Sequence, residues 1–171
     1  MSAANAIAPR PLPAWSLLSR YAESGDYTDC YVTDIPGDFS HAEYVAAFYT
    51  TWLFRLERLL LTVVRKPSTD EQARQLAQGE RDAFAAWTVE ARAPNQLLLC
   101  DFLGNTRSWL MAEPVQGGGV TRLYFGSAVV ANTDRKTGQR RMRGRFRALL
   151  AFHQRYSHAL LAAAKSRLAI S

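Results

Sequence analysis

The chain is short of the residues from which most recognisable sites are built. Its 171 residues include two cysteines and three histidines. Cys30 and Cys100 stand seventy positions apart, with neither a CxxC pair nor a histidine at metal-ligand spacing. Each falls in an apolar strand pattern, where a thiol behaves as a small hydrophobe; spacing alone leaves a disulfide between them open. His153 and His158 are five residues apart, not the four that put two rings on one helical face. No glycine-rich loop opens a helix, no serine stands on a strand-to-helix elbow, and no His-Glu-x-x-His occurs. The expectation is no metal and no cofactor. No apolar run reaches the ~18 residues of a membrane span, and the first residues lack the charged-then-apolar order of a secretion signal. A reducing, cytoplasmic setting is expected.

What is present is globular in character. Hydrophobic residues make up 48% and charged residues 21%, a balance that favours a folded core over disorder. The net charge of +6 has one source: seven basic residues between Arg135 and Arg147, set against Asp134, while the remainder is neutral. Such a cluster, with Arg140, Arg141 and Arg143 at its centre, suits phosphates of nucleic acid or an anionic surface. Only Phe146 is interleaved, so a base-stacking platform is absent. A solvated loop is the plainer reading.

Patterning gives an α+β order. Prolines at 9, 11 and 13 predict an extended, poorly packed arm over 1–14, followed by a single domain over 15–171. A β-branched and aromatic run predicts a strand from Tyr27 to Ile35. Ser40 with Glu43 forms a capping box, and Tyr44, Phe48, Trp52, Leu56, Leu59, Leu60 and Val63 mark one face of a long helix ending before Pro67. Ser68 with Glu71 opens a second helix, closed by Gly79. Four strands follow, over 85–92, 96–103, 106–113 and 120–131, with Gly126 suggesting a bulge or bend. The terminal helix carries its apolar stripe from Phe146 to Ala164.

Gly104-Asn105 reads as a two-residue hairpin turn, which would set Cys100 against Trp109 and Leu98 against Met111. Both faces of that hairpin are apolar, so it should be covered on both sides or line a cavity. His153 lies within the terminal stripe, as a pocket group, a general base or a satisfied core histidine. Asp101 is a carboxylate on an apolar face near the turn. Arg107 could grip an anion or sit at the surface.

The strand Asp26–Ile35, the helices of 40–78, the meander of 83–132 and the helix of 140–169 together resemble the helix-grip fold of the START-like or Bet v 1-like (SRPBCC) superfamily. The hairpin NQLLLCDFLGNTRSWL, from Asn95 to Leu110, is similar to a bacterial family of unknown function with that fold. The resemblance implies a cavity of several hundred Å³ between sheet and last helix, lined by Trp87, Trp109, Tyr124 and His153. It also implies a small hydrophobic ligand, or a cyclase or hydrolase using His153 or Asp101 there. Oligomeric state is left open.

Overall fold

The computed structural model describes residues 6–55, 68–130, 132–133, 140–141 and 146–170, with the backbone alone at 132–133, 140–141 and 146–153. The elements in chain order are β1 (Ala8–Pro9), α1 (Ser19–Glu23), β2 (Tyr27–Pro36), α2 (His41–Tyr49) and α3 (Asp70–Gln78). They continue as β3 (Ala83–Phe84), β4 (Trp87–Ala93), β5 (Gln96–Asp101), β6 (Thr106–Pro114), β7 (Val120–Val129), β8 (Asn132–Thr133), β9 (Arg140–Arg141) and α4 (Phe146–Leu168). Seven strands form one antiparallel sheet in the order β1-β2-β7-β6-β5-β4-β3, and β8 pairs with β9. The meander and the helix pair inserted after the first long strand are as expected, with α4 packed against the sheet in a helix-grip-like arrangement. Both cysteines are free thiols.

Side-chain alternation gives the sheet two apolar faces. On the front, Ile35, Leu97, Leu110, Leu123 and Phe125 pack beneath Tyr44 and Phe48 of α2 and Leu160, Leu161 and Ala164 of α4. On the rear, Cys30, Leu98, Trp109, Met111, Tyr124 and Ala128 lie beneath Leu12, Leu17, Leu18 and Tyr21. The two-sided apolar hairpin is therefore covered on both sides. The 1–14 arm is extended where it is described, but it is laid on the sheet: Ala8 and Pro9 pair with Val32 and Tyr31, and Arg10 N donates to Cys30 O at 2.9 Å.

Several expectations are corrected. The β5–β6 loop spans 102–105, so Leu98 faces Trp109 and Cys100 faces Arg107, two residues from the expected register. A slip of two leaves every side chain on its face, which is why the faces were right and the partners wrong. The expected strand from Ala85 starts at Trp87, because Ala85 takes φ 53° in the turn after Phe84. A bulge at Glu90 ends the simple alternation: Val89 packs at the front core, Ala91 at the rear. Gly126 is neither bulged nor bent out of pairing; β7 runs in unbroken register against both neighbours.

The Ser40–Glu43 capping box is present, but the second box is Thr69 with Gln72, one residue later than expected, leaving Asp70 and Glu71 at the positive end of α3. The long first helix is interrupted after Tyr49. Thr50 and Thr51 hydroxyls donate back to Ala46 O (2.7 Å) and Phe48 O (3.0 Å), and Thr51 Oγ1 then accepts Phe54 N at 3.2 Å, capping a new turn over 52–55. The turned chain buries Phe54 and leaves Trp52 71% exposed, not inward as the unbroken stripe required. Leu56, Leu59, Leu60 and Val63 lie outside the described residues.

Candidate functional site

Where α4 crosses the front of the sheet, the described side chains leave a gap. A recess of about 180 Å³ remains, walled by Phe48, Phe54, Trp87, Phe125, Tyr156 and Leu160. Its polar border is Thr106, Ser108, Ser127 and Ser157. Register explains the polar side: Asp29, Ser127 and Ser108 are cross-strand neighbours on β2, β7 and β6. Ser127 donates to Asp29 Oδ1 through both N (3.0 Å) and Oγ (2.6 Å), and Tyr27 OH donates to Oδ2 at 3.4 Å. Gln154 of α4 reaches Tyr27 OH at 3.3 Å, and burial is the first cause of the Tyr27 phenol being pushed up to about 12. Tyr49 OH lies 3.5 Å from Ser108 Oγ. The arrangement is an aromatic cup with one hydroxyl-rich side. Its volume is below the several hundred Å³ expected.

The expected pocket residues are divided by the sheet. Trp87 borders the recess; Arg107 is among the residues lining it, but its side chain is turned to Tyr21 and Glu90 on the rear face. Trp109 and Tyr124 do not border it: both belong to the rear layer, since on β6 and β7 it is Ser108 and Phe125 that point to the front. Trp109 Nε1 donates to Gln96 Oε1 at 2.9 Å, which also accepts Leu17 N at 2.9 Å. Tyr124 OH donates to Glu113 at 2.6 Å; burial first, then that bond, pushes the phenol up to about 12. Asp101 serves the turn, its Oδ1 accepting Thr106 N at 2.9 Å. His153 is a residue of α4 whose side chain lies outside the described residues.

Arg107 is not a surface arginine; its side chain is largely buried. Its Nε donates to Glu90 Oε2 (2.5 Å) and Tyr21 OH (2.7 Å), and Tyr21 OH donates to Glu90 Oε1 (2.5 Å). Burial disfavours the guanidinium charge there, but the Tyr21 bond and the Glu90 carboxylate outweigh it and raise its pKa. The bulge at Glu90 supplies the carboxylate on this face. The cluster ties α1 to the sheet.

Patterning missed His41, the first residue of α2. Its Nε2 lies 3.3 Å from Leu110 O, and a carbonyl only accepts, so Nε2 carries the proton. Burial lowers the His41 pKa, against the opposing pull of that bond. It also missed the recess side chains Phe54, Ser127 and Phe125; a serine in each of two apolar strands, Ser108 and Ser127, was the available signal.

Two shallower grooves flank the core. One, of about 700 Å³, runs between 51–55 and α4 beside Trp52 and Ile170. The other, of about 610 Å³, lies between the arm and β2, beside Asp34 and Arg122, which pair bidentately at 2.7 and 2.9 Å. Among the described residues no three His, Cys, Asp or Glu side chains are grouped to hold a metal, and no helix is long and apolar enough to cross a membrane. Arg140 and Arg141 form β9; Arg143 lies outside the described residues. Comparison with protein-family models, curated proteins and solved structures finds no match to this chain.

Proposed function

We propose that the chain binds a small, mainly apolar molecule in the recess between sheet and α4, as its resemblance to the START-like superfamily implies. One observation carries this reading: large aromatic side chains from α2, β4, β7 and α4 wall a half-open recess of about 180 Å³. Half-open and walled mainly by apolar side chains with a few polar groups at one side, the recess has the form of a small-molecule site. Its size limits the occupant. An apolar cavity of ~150 Å³ accepts benzene, which points to a single ring or short branched chain, not a sterol. The serine row on one side favours a ligand with one polar group. The enzymatic reading has less support, because Asp101 is committed to the turn.

The test is native mass spectrometry of freshly purified protein, with thermal melts in a panel of single-ring compounds. A co-purifying mass or a melting shift that Trp87→Ala abolishes is expected. Protein without bound mass and without a shift for any compound would remove the proposal.

A further inference from the structure

Two buried hydroxyls face the recess with little to bond. Ser157 of α4 is 1% exposed and Ser108 of β6 is 7% exposed, and both line it. A helical serine or threonine can bond back to the carbonyl one turn earlier, as Thr50 does to Ala46. Ser157 does not: among the described residues its Oγ has no hydrogen-bond partner. Ser108 Oγ meets Tyr49 OH at 3.5 Å, beyond the ~3.0 Å of an ordinary O–H···O bond. Ser127 differs, since its Oγ donates to Asp29 Oδ1 at 2.6 Å. Hydroxyls buried as deeply as Ser157 and Ser108 are ordinarily satisfied. Two of them on one recess call for a partner that enters it.

The chemistry of that partner follows from what the wall can give and take. A serine hydroxyl both donates and accepts. A ligand hydroxyl set between the two can therefore accept from one and donate to the other. A carboxylate is a poorer match: Arg107, the cationic residue along the described wall, is turned away to Glu90 and Tyr21. An ammonium is no better placed, because Asp29 is held by Ser127 and Tyr27 and is not part of that wall. The rest of the wall is aromatic, with the Phe48 and Phe125 ring centres 4.9 Å apart.

We infer, on the basis of the ligand reading above, that the recess selects a single-ring alcohol or phenol. Its ring lies among the aromatic side chains and its hydroxyl between Ser157 and Ser108. Selectivity of this kind has a cost in the empty protein, where Ser157 carries an unbonded hydroxyl that alanine would not.

Calorimetric titration of the full chain with benzyl alcohol, ethylbenzene, benzoate and benzylamine is the test, together with melts of the ligand-free protein. Benzyl alcohol should bind roughly fivefold more tightly than ethylbenzene, which has the same shape and no hydroxyl. Ser157→Ala and Ser108→Ala should each bring those two affinities together. Ser157→Ala should also raise the melting temperature of the ligand-free protein. Equal affinity of the parent for ethylbenzene and benzyl alcohol, or variants that weaken both alike, overturns the hydroxyl selection while the site itself stands. Preference for benzoate or benzylamine overturns it as well. So does a lower melting temperature for ligand-free Ser157→Ala, the mark of a hydroxyl that is already bonded. Binding of none of the four compounds removes the site and the selectivity together.

Discussion

A methyl group on Gly126 would stand 2.9 Å from Leu18 Cδ2, 2.9 Å from Trp109 Cε3 and 3.0 Å from Asp29 O. The last of these is backbone and cannot turn aside. Gly126→Ala should therefore cost about 1–3 kcal/mol through overpacking, read as a lower urea midpoint at unchanged slope. His41 makes a different prediction. Burial lowers its folded pKa below the ~6.5 of an unfolded chain, so the unfolded state takes up the proton first as pH falls. Stability from the neutral ring is complete above about pH 6.5 and is lost as pH drops through the folded value. His41→Gln should flatten the stability profile between about pH 5 and 7; urea melts across that range measure it.

Elements are joined at a few polar points, and Gln96 is the clearest. Its Oε1 accepts both Leu17 N and Trp109 Nε1, binding the segment before α1 to the middle of the sheet. Gln96→Leu leaves two donors without their acceptor, at about 1–3 kcal/mol each where they stay buried. A fall in melting temperature with earlier proteolysis of the amino-terminal segment is the expected outcome. At this scale the sequence was legible where periodicity alone decides. Strand faces, the Ser40 cap, the Gly79 stop and the terminal helix follow from local pattern. Partners were not: the hairpin register depended on how many residues the turn at Gly104 absorbs. The helix break depended on Thr50 and Thr51 bonding backward, which no apolar stripe reveals. The recess was half legible. Trp87 and the α4 stripe could be read, but the bulge at Glu90 and the side of the sheet taken by Trp109 and Tyr124 are three-dimensional facts.

For the whole molecule, the rear layer matters as much as the front. Residues up to α1 are the cover for Leu98, Trp109 and Met111. A chain lacking residues 1–23 should bind anilinonaphthalene sulfonate strongly and self-associate, as large exposed apolar patches do; dye fluorescence and light scattering detect both. Unchanged signals would mean that the rear layer closes without that segment. The outermost strands have a further consequence. β1 and β3 are each two residues long, and β1 ends in Pro9, which has no N–H to offer. Short edge strands and a proline blunt both rims against pairing with another copy's backbone where they lie, beside Tyr31 and Val32 of β2 and beside Trp87 and Thr88 of β4.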